Sequence, residues 1–167
     1  YGTYWVKHVH EITVLDEEFK GFWMNPGYRI PDDPCAAIDP GTTPKRTIPI
    51  SRFNVRSFLT SHTDGATLKQ GTATGLRGIA FDDGHGIRDV VMSEDRCKTW
   101  VGAELGTELG RYAFREWTLQ YTPKRSGPIE LWVRATNRLG QSQPIEPLWN
   151  PSGYMRNVVE RVRVQAS

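Results

Sequence analysis

The chain has 167 residues, of which 38% are hydrophobic and 24% charged, and a formal net charge of +2. That length can bury a hydrophobic core without help from disulfides and favours one domain with an attached arm. The balanced charge, with only the isolated basic pairs Lys45–Arg46 and Lys124–Arg125, gives no electrostatic case for nucleic acid, and no apolar run approaches the roughly 20 residues of a membrane-spanning helix.

Residues 1–14, YGTYWVKHVHEITV, are rich in aromatic and β-branched types and are predicted to be extended. The chain opens at Tyr1 rather than methionine, which leads us to expect a processed product or an excised domain. Residues 15–49 carry most of the prolines and little periodicity. A stretch that long without regular structure is uncommon inside a compact domain. It is predicted to be a linker arm lying over a surface, with Phe22, Trp23 and Tyr28 as its anchors.

From Ile50 the pattern alternates. RFNVRSFLTS places Phe53, Val55 and Leu59 on one face, and TDGATLKQG supplies turn residues. LRGIAFDDGHG reads as a strand ending in a loop, and IRDVVMSEDRCKTWVGAEL as two strands around the polar turn Ser93 to Lys98. In GRYAFREWTLQYT the phase slips between Tyr112–Phe114 and Trp117–Leu119–Tyr121, which predicts a bulge near Arg115–Glu116. PIELWVRATN puts Ile129, Leu131, Val133 and Ala135 on one side, and the final NVVERVRVQ does the same with Val158, Val162 and Val164. About seven short strands without an amphipathic helix predict an all-β fold for residues 50–167, an immunoglobulin-like β-sandwich lacking the Cys–Trp–Cys pattern of true immunoglobulin domains.

The residues with chemical potential are scattered. His8 and His10 would share a strand face, but zinc needs three or four ligands and spacing marks no third. His85 sits in DDGHGI, which is not a calcium-loop pattern, and NPSGY around Ser152 is not a nucleophile elbow. Cys97 lies between Arg96 and Lys98, whose charges would lower its pKa, yet no base is positioned beside it. Cys35 and Cys97 could form one bridge, but no framework of paired spacings is present. The carboxylate pairs Asp16–Glu18 and Asp82–Asp83 read as solvated turns. EPLWNPSGYMRN, from Glu146 to Asn157, is different. It crowds Trp149, Tyr154 and Met155 around two prolines and a glycine, too rich for a simple turn and barred from a core strand by Pro151.

Four segments in this order, YWVKHVHEITV, GIRDVVMSEDRCKTW, GRYAFREWTLQYTP and RATNRLGQSQPIEPLWNPSGYMRNVVERVRV, resemble the C-terminal domain of the sulfite oxidase family of molybdopterin enzymes, and most of all its bacterial sulfite dehydrogenase or oxidase members. This is the molybdenum-cofactor oxidoreductase dimerisation domain, and the likeness runs over nearly the whole chain. It implies a larger upstream domain that binds molybdopterin and ligates molybdenum through its own cysteine. Residues 1–14 would be the end of that domain, 15–49 the arm and 50–167 the dimerisation domain. Trp5, Val6 and Lys7 match the family segment that touches the pterin phosphate region. In animal and plant sulfite oxidases a W-N-x-R-G segment sends its arginine to the substrate pocket. Here Ser152 stands at that position, and Arg156 is the nearest substitute for binding an oxyanion substrate. Arg96 and Cys97 stand where relatives often carry two glycines, so this hairpin should be shaped differently or strained.

The resemblance further implies a parent that oxidises sulfite to sulfate in the periplasm, as a homodimer or with a cytochrome subunit. This chain alone would have no turnover and no bound cofactor. Two other classes compete with it: an extracellular β-sandwich binding or adhesion module using aromatics such as Trp132, and a small metalloenzyme at His8 and His10.

Overall fold

The computed structural model describes residues 7–167. Among them there are eleven strands and no helix, and the chain divides into two compact units.

The larger unit comprises Phe53–Pro147 and Asn157–Ser167. Its strands are β3 (Arg56–Leu59), β4 (Ala66–Leu68), β5 (Thr74–Phe81), β6 (Ile87–Ser93), β7 (Val101–Gly102), β8 (Glu104–Leu105), β9 (Arg115–Tyr121), β10 (Gly127–Asn137) and β11 (Glu160–Ala166). They form a five-stranded sheet ordered β4-β11-β10-β6-β7 and a four-stranded sheet ordered β3-β5-β9-β8. All neighbours are antiparallel except β4 and β11. One apolar cluster draws on both sheets: Leu76 and Trp117 from the smaller, Ile129, Leu131, Val133 and Val164 from the larger. This is the predicted all-β sandwich. It follows from period-two patterning, since the four residues that alternate along β10 from Ile129 to Ala135 are all buried.

Two local expectations fail. β9 pairs with β5 in unbroken register from Arg115 to Tyr121, so the predicted bulge at Arg115–Glu116 is absent. The phase slip arises because Tyr112 and Phe114 precede the strand and belong to the loop before it. Residues 7–14 form no strand, although their composition predicts extension.

The smaller unit contains the residues up to Arg52 and Leu148–Arg156. Within the segment predicted as an arm, β1 (Arg29–Pro31) and β2 (Thr47–Pro49) pair antiparallel. Ile30, Ala36 and Met155 make a second small core, with Ile48, Ile50 and Tyr154 packed against it. Of the predicted anchors, Phe22 and Trp23 meet edge to face, Trp23 stacks on Tyr28, and Tyr28 reaches Tyr154 at 6.0 Å between ring centroids.

Candidate functional site

The residues from Leu148 to Arg156 are shaped by hydrogen bonds that begin at Asn150. Its side-chain oxygen accepts the Ser152 N–H at 3.0 Å, and its carbonyl accepts the Gly153 N–H at 2.9 Å, which closes a tight turn. Gly153 takes φ +70°, a conformation that glycine adopts without steric cost. The Asn150 amide donates to the Ala36 carbonyl at 2.8 Å, and Ile38 N–H donates to the Trp149 carbonyl at 3.1 Å. Met155 then turns inward against Ile30 and Ala36. The loop therefore docks on the β1–β2 segment through Asn150, Met155 and Tyr154. Trp149 contributes its backbone, and its side chain is 38% exposed.

Docking leaves a cavity of about 260 Å³ inside the smaller unit. Arg29, Thr47, Asn25, Asn150 and Ser152 supply its polar lining, and Pro26, Pro31, Pro44 and Pro151 supply its walls. Arg29 is fixed by three acceptors: Nε donates to Thr47 Oγ1 at 2.9 Å, Nη1 to the Met24 carbonyl at 3.1 Å and Nη2 to the Thr47 carbonyl at 2.6 Å. Ser152 thus reaches the cavity, whereas Arg156 is exposed and does not line it. Sequence reasoning overlooks Arg29 because it lies in a proline-rich stretch without periodicity. Lys7 is exposed, and Trp5 and Val6 lie outside the described residues.

The remaining candidates resolve into structural roles. Asp82 is not a solvated turn residue. It is buried and accepts from the N–H groups of Gly84, His85 and Gly86 and from the Asn137 amide, at 3.1–3.2 Å. Both cysteines are free. Desolvation pushes the Cys97 thiol up, against the nearby Arg134 charge, so the neutral thiol is favoured over a nucleophilic thiolate. Trp132 does not offer a bare ring face, because the Arg161 guanidinium sits 5.3 Å from its centroid. His8 and His10 are exposed, and among the described residues no group of three or more His, Cys, Asp or Glu could hold a metal ion.

Arg96 and Cys97 adopt φ +58° and +66°, so this hairpin keeps the left-handed pair that glycines would favour and imposes it on two side-chain-bearing residues. Asp95 holds the turn together. Its carboxylate accepts from the Thr99 hydroxyl at 2.6 Å and from the Thr99 and Lys98 N–H groups at 2.9 and 3.0 Å. The Thr99 hydroxyl bond, then the Thr99 backbone and Ser93 bonds, hold its pKa well below the usual carboxylate range. A depressed folded pKa means stability that is present above the unfolded value of about 3.9 and is lost as pH falls towards the folded one. Asp95→Asn should therefore lower the urea midpoint at pH 7, and the gap from wild type should close below about pH 4. A gap of constant size from pH 7 to pH 2.5 would refute the carboxylate's role.

A second cavity, of about 270 Å³, opens in the larger unit beside Met92, Glu94, Val101, Leu119 and Tyr121. The Tyr121 hydroxyl donates to the Glu94 carboxylate. Desolvation first, and Glu94 second, raise its pKa beyond the normal phenol range. A neutral, hydrogen-bonded phenol of this kind ties the end of β9 to the residue that follows β6.

The family model described as the Mo-co oxidoreductase dimerisation domain matches residues 47–167. This chain belongs to that family. The Mo-co dimerisation domain described here is 29% identical over 177 residues to mitochondrial sulfite oxidase of Homo sapiens, an alignment that covers 99% of this chain and 31% of the human protein. It is 30% identical over 169 residues to sulfite oxidase of Arabidopsis thaliana, covering 94% of this chain and 42% of the plant protein. It spans about a third of the length of the animal relatives it matches. The crystal structure of the sulfane dehydrogenase SoxCD from Paracoccus pantotrophus shares the fold, with a TM-score of 0.65 and 18% identity over 90% of this chain and 38% of that one.

The family's name implies a molybdenum cofactor, and the donor set can be tested against it. A thiolate ligand would need a depressed thiol pKa or an electropositive setting. Cys97 has a raised one, and Cys35 is exposed on the smaller unit with no cluster of ligating side chains around it. The described residues do not fit as molybdenum ligands.

Proposed function

We propose that this chain is the C-terminal domain of a sulfite-oxidase-like molybdopterin oxidoreductase, where it supports subunit assembly and its Leu148–Arg156 loop closes one side of the active site. The observation that carries this reading is the family match across residues 47–167, together with relatives about three times as long that are named sulfite oxidases. The parent reaction is the two-electron oxidation of sulfite to sulfate, with the electrons passing to a cytochrome or another acceptor. The cofactor supplies that redox chemistry when bound, and an upstream domain holds it. This domain contributes shape and charge. Trp5, Val6 and Lys7 approach the pterin phosphate region, and Arg156 binds the sulfite oxyanion. On this reading the sandwich is of the immunoglobulin type, and the enzyme works in the periplasm as a homodimer or with a cytochrome subunit.

The test is steady-state kinetics of the full-length enzyme. Arg156→Ala should raise KM for sulfite by about ten- to a hundredfold, because a charge-assisted hydrogen bond of about 1.5–3 kcal/mol is lost. An unchanged KM removes Arg156 from the site. Absence of sulfite oxidation by the molybdenum-loaded wild type refutes the parent reading altogether.

A further inference from the structure

We propose that the cavity beside Tyr121 is a binding site for a small zwitterion, an α-amino acid with an apolar side chain, with Glu94 taking its ammonium and Lys124 its carboxylate. Topology comes first. β7 pairs with the end of β6, Met92 opposite Val101, and β8 pairs with β9, so the two short strands carry one edge segment from the five-stranded sheet to the four-stranded one. β8 covers β9 only as far as Thr118, which faces Glu104. Beyond it, Leu119 to Tyr121 keep only β5 as a strand partner among the described residues. The notch past that crossing is the cavity of about 270 Å³.

Charge comes second. The charged side chains of the lining are Glu94 and Lys124, and they form no ion pair with each other or with any other described residue. Opposite charges that share a cavity without meeting are complementary to a ligand that carries both. The Tyr121 hydroxyl donates to Glu94 Oε2, which fixes the carboxylate and leaves Oε1 without a hydrogen-bond partner among the described residues. An ammonium brings the donors that this oxygen lacks. Ser93 and Thr99 also line the cavity, but both spend their hydroxyls on Asp95, at 2.7 and 2.6 Å. Recognition therefore falls to the two charges.

Apolar surface comes third. Met92, Leu119 and Val101 supply it, and Val101 is 57% exposed. A hydrocarbon side chain laid against them takes that surface out of water, which a simple inorganic ion cannot do. The volume equals the share of about nine waters at roughly 30 Å³ each, so it admits about nine non-hydrogen atoms and falls short of the roughly 300–1,000 Å³ of sites for drug-sized ligands. Leucine has that size. The inference is independent of the sulfite reading, because all of these residues lie in the larger unit, away from the Leu148–Arg156 loop.

The probe is L-leucine, titrated calorimetrically into the full-length protein at neutral pH, with isocaproate and isoamylamine as analogues that lack its ammonium and its carboxylate respectively. Leucine should bind with a Kd of about 1 mM or below, and each analogue at least about tenfold more weakly. Lys124 is exposed, so Lys124→Met tests the site without threatening the fold. It should weaken leucine at least about tenfold and leave isoamylamine within about twofold. Glu94→Gln should do the converse, weakening leucine and sparing isocaproate. Glycine should bind more weakly than leucine, since it leaves Val101 bare. A wild type that binds no leucine overturns the site, as does a leucine affinity in Lys124→Met within about twofold of wild type. An analogue with one charge that binds as tightly as leucine overturns the zwitterion.

Discussion

Replacing Gln143 with alanine should cost the larger unit about 3–5 kcal/mol, a large share of the stability of a domain this size. Gln143 is 2% exposed, and its amide is fully used. Oε1 accepts the Ser57 hydroxyl at 2.7 Å and the Ala135 N–H at 2.9 Å, while Nε2 donates to the Asn157 and Val158 carbonyls at 3.1 and 3.2 Å. A primary amide has two donors and an oxygen with two lone pairs, so each position is filled. The partners belong to β3, to β10 and to the chain just before β11, so one side chain ties both sheets to the returning C-terminal segment.

Removing the amide leaves buried groups of Ser57, Ala135, Asn157 and Val158 without this partner, each worth about 1–3 kcal/mol when unpaired. Water entering the vacated space would recover part of that, which keeps the total below the plain sum. Gln143→Leu separates the causes. It restores volume and no hydrogen bond, so it should destabilise by about as much as alanine. The measurement is the urea midpoint at constant m-value. A leucine variant within about 0.5 kcal/mol of wild type would mean that packing, not the amide network, holds this junction. Gln143 and its partners at 157 and 158 lie on either side of Leu148–Arg156 in the sequence, and the Val159 N–H donates to the Pro144 carbonyl at 2.9 Å, so the same stretch of the larger unit is closed by a second bond.

How much of this was readable from sequence depends on pattern length. β10 spans eleven residues and β5 eight, long enough for alternation to declare an inner face. β7 and β8 have two residues each and β1 and β2 three, too short for any period to register. That is why the sandwich was legible and the smaller unit read as an arm. Its core joins Ile30 and Ala36 to Met155, residues more than a hundred positions apart, and no local pattern encodes such a meeting. Asp82 was misread for a related reason. A carboxylate next to another carboxylate and glycines looks solvated, and only the folded loop turns three N–H groups towards it.

Resemblance brings attention to two residues of the Glu146–Asn157 stretch: Ser152, which lines the cavity, and Arg156, which does not. Arg29 was invisible because its clamp consists mostly of backbone carbonyls, which leave no trace in side-chain identity.

Gly78 offers the sharpest test of how the four-stranded sheet is built. It pairs with Leu59 on β3 and with Trp117 on β9. A Cβ placed on it would fall well inside 3.0 Å of the Phe58 carbonyl oxygen and of the Trp117 indole. Neither neighbour can yield easily. The Phe58 oxygen is backbone within a paired strand, and Trp117 is fully buried among core side chains. The Trp117 Nε1 has no hydrogen-bond partner among the described residues, so the ring is held in place by shape alone, and shape is what an added methyl would spoil. Gly78→Ala should therefore destabilise by about 3 kcal/mol, at the upper end for overpacking, even though alanine is intrinsically better than glycine in a strand. Gly75, on the same strand, is the internal control: a Cβ there would meet only the Gln120 amide at 3.7 Å, so Gly75→Ala should be neutral or mildly stabilising. Thermal unfolding of the pair decides between a steric and a propensity account. Equal melting temperatures would mean that β3 and Trp117 can move aside; a large loss confined to Gly78→Ala would mean that Trp117 fixes the spacing between β5 and β9, and with it the inner face against which β10 packs.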